Sequence, residues 1–226
     1  MNAEITILST KKLEKHQKQL LLNAGISVIE KDFIEIHWLS FQLKKDPEIL
    51  LFTSKNAVRS ILQNEKAEML KSIPAICVGI KTKKLLKENG FNVLSSENYA
   101  EDLSKVIQQN YKDQHIAFFA GNLRKETLPE MMKKNKISYD EYLVYKTDFI
   151  PGKIENQLDG ILFFSSSGIE SYLEMNTISD EICFCIGTTT AEALKEISKN
   201  LQISEEPTVE NVIENCIKYF RAQTPN

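Results

Sequence analysis

The sequence predicts an α/β fold of two similar lobes, each a parallel sheet with helices on both faces. Three observations point there. Short apolar runs alternate with amphipathic stretches along the whole chain. The chain reads as two copies of about 110 residues, and its 226 residues suffice for two such lobes. Parallel strands need crossover connections, and right-handed crossovers carry the helices to both faces.

The elements follow in order. Residues 5–36 read as an apolar strand, a loop, a helix and a second strand, with Leu13, Leu20, Leu21 and Ala24 on one helical face and Gly25 ending the helix. Ile49, Leu50 and Leu51 form a buried strand that enters a helix through FTSKNAV at 52–58, and ICVGIKTKKLL at 76–86 is the next strand, loop and helix. SENYAEDLSKVI, from Ser96, is an amphipathic helix with an acidic first turn at Glu101 and Asp102. Residues 116–147 repeat the opening pattern, with Leu128, Met131 and Met132 on one helical face.

The second copy then returns element by element. Ile161, Leu162 and Phe163 lead into FSSSGIES at 164–171, which matches FTSKNAV with Phe164 opposite Phe52. FCIGTTTAEAL at 184–194 matches ICVGIKTKKLL, placing Gly187 opposite Gly79 and Thr190 opposite Thr82 at one constant offset. EEPTVENVIENC, from Glu205, matches SENYAEDLSKVI, with Val212 opposite Leu103 and Cys216 opposite Ile107. Glu205 and Glu206 are read as a helix start, and the polar tail at 221–226 as disordered.

Composition narrows the function. Lys plus Arg total 28 against 31 for Asp plus Glu, so the formal charge of -3 offers no basic surface to nucleic acid or an anionic membrane. Any anionic ligand must be held by local groups. No apolar run reaches the roughly 20 residues of a membrane span, and MNAEITILST has neither the pattern of a secretory signal nor that of a transit peptide. A cytoplasmic protein is expected. No heptad or large apolar helix face demands a partner, so a monomer is expected too. The cysteines at 77, 183, 185 and 216 are read as buried thiols. Cys183 and Cys185 share a strand face, but no His or Cys completes a metal site. His16, His37 and His115 are scattered and are read as solvated or capping residues.

Five loops share one character, each following a strand and opening a helix: TSKN at 53–56, GIKT at 79–82, GNLR at 121–124, SSSG at 165–168 and GTTT at 187–190. Loops of this kind gather at the carboxyl edge of a parallel sheet. Small hydroxyl residues and glycine let backbone N–H groups approach a carboxylate or phosphate, and the helix dipole favours the anion. Helix capping alone explains any single loop; five in two related lobes predict a cleft lined with anion-binding helix ends. The residues concerned are Ser54, Lys55 and Asn56; Gly79 and Thr82; Gly121 and Asn122; Ser165, Ser166, Ser167 and Gly168; and Gly187, Thr189 and Thr190. No GxGxxG, GxxxxGK[ST] or GxSxG occurs, so neither a nucleotide fingerprint nor a serine nucleophile is indicated.

The combined pattern resembles the uroporphyrinogen-III synthase family across nearly the whole chain. FTSKNAV, VGIKT with NYAEDL some twenty residues on, GNLRKETLP leading to VYKT at 144–147, FFSSSG and IGTTTAEAL carry the likeness through their order and spacing. Many members place an arginine after the first strand, where this chain has Lys11 and Lys12. The resemblance implies two lobes joined by a pair of extended strands, with crossings near 36–40 and 147–152. Lobe 1 would combine 1–36 with 149–226, and lobe 2 would span 40–146, the hinge opening and closing around substrate. The implied reaction is cyclisation of hydroxymethylbilane with inversion of ring D and loss of water, without metal or cofactor. Tyr145 in VYKT is the implied proton donor, and the five loops the binders of the substrate's carboxylates. The alternative is a non-catalytic two-lobed module that binds a small anionic metabolite, or a regulatory domain of the same fold that has lost activity.

Overall fold

The computed structural model describes residues 5–223, and contacts within it divide the chain into two units. Unit 1 holds residues 1–35 and 148–226, and unit 2 residues 36–147. The first segment of unit 1 contains β1 (Ile5–Ser9), α1 (Lys15–Asn23) and β2 (Ile26–Glu30). The chain enters unit 2 through β3 (Ile34–Trp38), followed by β4 (Ile49–Phe52), α2 (Lys55–Leu62), α3 (Ala67–Lys71), β5 (Ala75–Val78), α4 (Ile80–Glu88), β6 (Val93–Glu97), α5 (Ala100–Asn110), β7 (Ile116–Gly121) and α6 (Thr127–Lys134). It leaves through β8 (Tyr139–Phe149). Unit 1 is completed by β9 (Gly160–Phe163), α7 (Ser166–Leu173), β10 (Ile182–Cys185), α8 (Thr188–Glu192), β11 (Leu201–Ile203) and α9 (Val209–Gln223).

The sheet of unit 1 has the order β11-β10-β9-β1-β2 and is parallel throughout. Alternation along each strand assigns its side chains to two cores. Leu8, Ile161, Phe163, Cys183 and Cys185 pack against α7 and α8, while Ile7, Leu162 and Phe184 pack against α1 and α9. The sheet of unit 2 has the order β3-β8-β7-β4-β5-β6. Leu50, Phe52, Cys77 and Phe119 face α2, α3 and α4, and Leu51, Ile76 and Phe118 face α5 and α6. Helices therefore cover both faces of each sheet. The strand centres are dominated by apolar side chains because a parallel strand buried on both sides has no solvated face.

One strand departs from the parallel rule. Leu39 N–H donates to Val144 O at 3.0 Å and Ile150 N–H to Phe33 O at 3.0 Å, so β3 and β8 run antiparallel. The two copies also align one residue differently from the sequence match. Ser54 and Ser165 are the N-caps of α2 and α7, each accepting the N–H three residues on, from Ala57 at 3.1 Å and Gly168 at 3.0 Å. Phe163, not Phe164, therefore stands opposite Phe52. Gly79 and Gly187 are the N-caps of α4 and α8, with Thr82 and Thr190 both at the third helical position. At Gly79 φ is +89°, a left-handed conformation that a side chain would strain.

Three smaller expectations need correction. His115 is buried rather than solvated, its ring bonded to Ser138 Oγ at 2.8 Å and Asp140 Oδ2 at 3.1 Å. Those contacts tie the start of β7 to the start of β8. Arg221, Ala222 and Gln223 belong to α9 rather than to a disordered tail, and the rest of that tail lies outside the described residues. Glu205 and Glu206 precede α9, whose first turn instead carries Glu210, an acceptor from Gln17 Nε2 at 2.6 Å.

Asn122 clasps the carboxyl end of β7 to β8. Its amide nitrogen donates to Thr147 O at 3.0 Å, and its amide oxygen accepts Thr147 N–H at 2.7 Å, as a neighbouring strand would. Replacing Asn122 with Ala should lower stability in urea titration by about 1–3 kcal/mol, because Thr147 is buried and loses both partners. All four cysteines are free and buried, and burial pushes the thiols of Cys185 and Cys216 up to about 12 and that of Cys183 to about 11. Ellman's reagent at pH 8 should therefore titrate no thiol in the folded chain and all four in guanidinium.

Candidate functional site

In both sheets the chain runs outward in two directions from one adjacent pair, β4 and β7 in unit 2 and β9 and β1 in unit 1. The loops leaving such a pair diverge, and the crevice between them at the carboxyl edge is where open α/β sheets bind ligands. Ser54 follows β4, and Gly121 ends β7. Between them lies the phenol of Tyr145, carried by β8.

Tyr145 is half-buried and stands opposite Gly121 in the strand register, just after an irregularity between Ala120 and Gly121. It lies within β8, not at a strand end, but at the level where β7 stops. Ser54 Oγ donates to Tyr145 Oη at 2.9 Å. A Cβ on Gly121 would fall 2.3 Å from Tyr145 Cζ and 2.7 Å from Oη, so only glycine admits the ring. Ser60 Oγ anchors the same stretch of β8 by donating to Val144 O at 2.6 Å.

The next loop adds positive charge that the sequence reading passed over. Lys81, at the second position of α4, is held below the usual ammonium range by burial and by the nearby charge of Lys55, which opens α2. Two ammonium groups close enough to repel favour an anion between or beside them. The arginine of GNLR is committed elsewhere. Arg124 binds Glu141 through two nitrogens, one of them at 3.0 Å, and also pairs with Glu126, which holds the guanidinium charged and pins the loop to β8. α6 starts only at Thr127, so this loop is longer than a simple strand-to-helix turn.

In unit 1 Ser165 stands at the corresponding edge, and Thr10, just after β1, is buried there with its hydroxyl donating to Leu162 O at 2.7 Å. Thr10 was not singled out by the sequence reading, because nothing local marks it. Ser165 and Ser167 hydroxyls lie 3.2 Å apart, and Ser166 Oγ donates to Thr189 O at 3.2 Å, linking the loops after β9 and β10. Lys11 sits 5.7 Å from the ring centre of Phe164.

The loop residues thus divide by exposure. Ser54, Lys55, Asn56, Gly79, Ser165, Ser166, Ser167 and Gly187 are half-buried at the carboxyl edges, and Thr189 is exposed. Thr82, Thr190 and Gly168 are buried inside the first helical turns, where Gly168 serves the Ser165 cap. Gly121 is buried beneath Tyr145, and the Asn122 side chain is taken up by Thr147. A separate cavity of about 450 Å³ in unit 1, lined by Lys153, Asn156, Tyr172, Glu174, Asn176 and Glu181 among others, shares no residue with these loops.

No helix among the described residues is long and apolar enough to cross a membrane. The family model described as uroporphyrinogen-III synthase HemD matches residues 15–214. No curated protein sequence matches the chain. Among solved structures, the uroporphyrinogen-III synthetase of Helicobacter pylori is 19% identical, with a TM-score of 0.63 over 95% of this chain and 99% of that one. A mutant uroporphyrinogen III synthase of the extremely thermophilic bacterium Thermus thermophilus is 13% identical, with a TM-score of 0.75 over 96% and 99%. The wild-type Thermus enzyme, also 13% identical, gives 0.60 over 97% and 99%. At these identities the structures establish a shared fold, while the family match spans both units. The chain belongs to the uroporphyrinogen-III synthase family, cyclising lyases of tetrapyrrole biosynthesis.

Proposed function

We propose that this chain cyclises hydroxymethylbilane with Tyr145 as the proton donor and the carboxyl-edge loops of the two units as its carboxylate binders. The observation that carries the assignment is the placement of a phenol at the β4/β7 crevice, seated on Gly121 and bonded to Ser54. Helix N-termini and small hydroxyl residues surround that edge, and Lys55 and Lys81 add positive charge. A polycarboxylate is the ligand such groups suit.

The reaction begins at the terminal hydroxymethyl group. Tyr145 gives its proton to the departing hydroxyl, water leaves, and an electrophilic azafulvenium cation remains beside the tyrosinate, which recovers a proton when the closing pyrrole ring loses one. The far pyrrole ring attacks through a substituted carbon to form a spiro intermediate, which fragments and recloses with ring D inverted. Closure at the unsubstituted carbon would give the symmetrical type I isomer instead. The binding loops therefore decide the product by fixing which carbon lies within reach. No oxidation state changes along this route, so no redox cofactor enters the proposal. The chain works as a monomer in the cytoplasm.

Incubating the purified chain with hydroxymethylbilane and separating the oxidised products should give the type III isomer; type I alone would reduce the molecule to a binding module. Tyr145→Phe should slow turnover about 10- to 100-fold, near or below the lower end for general acids, because dehydration is intrinsically easy. Its product should remain type III. Wild-type turnover in that variant removes Tyr145 from the mechanism.

A further inference from the structure

We infer that Ser54 is a positioning residue for Tyr145 rather than a substrate ligand, and that Gly121 completes the same seat; the inference rests on Tyr145 being the proton donor. A serine hydroxyl has one hydrogen to give and two lone pairs. Here the hydrogen goes to Tyr145 Oη at 2.9 Å, and a lone pair takes Ala57 N–H at 3.1 Å. The one hydrogen of Ser54 is thus spent within the protein, and none is left to give a substrate carboxylate.

The direction of the Ser54 bond matters for the chemistry. Tyr145 is the acceptor in that contact, so its own proton points elsewhere and stays available to a leaving group. When the proton departs, the phenolate oxygen already holds a hydrogen bond, and a bond to an ionised acceptor is roughly twice as strong as a neutral one. The Ala57 N–H behind Ser54 polarises the hydroxyl in the same sense. The contact therefore strengthens as charge develops, which is how a preorganised donor lowers a barrier. Gly121 fixes the other side of the ring, because any Cβ there would occupy the space of Cζ and Oη.

Four variants of the full-length chain test this with hydroxymethylbilane as substrate, alongside Tyr145→Phe and thermal melts. Ser54→Ala should lower kcat by about 5- to 20-fold and leave KM within about twofold, the size of one hydrogen bond realised in the transition state. Ser54→Asp keeps the helix cap but has no hydrogen to donate, so it should melt like the wild type and lose as much kcat as Ser54→Ala. Ser54→Thr keeps the hydroxyl and should restore kcat to within about threefold. Ser54→Ala combined with Tyr145→Phe should be no slower than Tyr145→Phe alone. The inference is overturned if the double variant is slower by the full Ser54→Ala factor, if Ser54→Asp keeps wild-type kcat, or if the loss falls on KM alone. Wild-type turnover in Tyr145→Phe would instead overturn the role of Tyr145 itself.

Discussion

Parallel strand pairing is the constraint on which the rest of this molecule depends. A parallel strand leaves its sheet at one edge and must be carried back to the other before the next can begin. Every helix N-terminus that follows a strand is therefore delivered to the same edge, with its unpaired N–H groups facing outward. Because the return path covers the sheet, the strands are buried on both sides and read as short, unbroken apolar runs. Core and chemistry thus come from one topological decision. The core fills the space between sheet and helices, and the small hydroxyl residues and glycines stand where the connections emerge.

The two units share this plan but not its chemical content. Both place a serine cap after the strand that flanks the crevice, and both open a neighbouring helix with glycine followed three residues later by a buried threonine. Unit 2 adds a phenol, delivered by a strand of eleven residues that runs beyond the end of β7. The matching stretch of the first copy is broken into β2, which stays in the sheet of unit 1, and β3, which pairs in that of unit 2; a threonine and a lysine stand near the crevice of unit 1 instead. The two edges share their helix caps, and the phenol beside Ser54 and Gly121 stands at the edge of unit 2.

What was legible in the sequence was local. The strand-to-helix loops announced themselves through Gly, Ser and Thr in a fixed relation to apolar runs, and a helix start needs only four or five residues to be recognised. Gly79 and Gly187 keep their repeat offset and both cap a helix start, although the positive φ belongs to Gly79 and Gly187 is extended. The serine loops were misaligned by one residue because FTSK and FSSS match well in two frames, and only the hydrogen bonds of the caps decide between them. The antiparallel β3 was hidden because pairing direction leaves no mark on a five-residue strand. Least legible was the contact between Ser54 and Tyr145, which are 91 residues apart and meet through a register irregularity that no motif encodes. His115 likewise read as a solvated or capping residue, whereas Ser138 and Asp140 enclose it.

The discontinuity of unit 1 bears on how the chain folds. The central pair of its sheet, β1 with β9, joins distant segments, as Thr10 and Leu162 do through a bond spanning 152 positions. Closing a free loop of that length costs about 4–5 kcal/mol of chain entropy. Unit 2 lies wholly inside that loop, and its own closure sets Leu39 against Val144. Once that has happened, roughly 45 residues remain to be closed, and the entropic cost falls by about 1 kcal/mol. During synthesis the first strand emerges long before its partner, so the interior unit is the natural nucleus and the terminal segments assemble last.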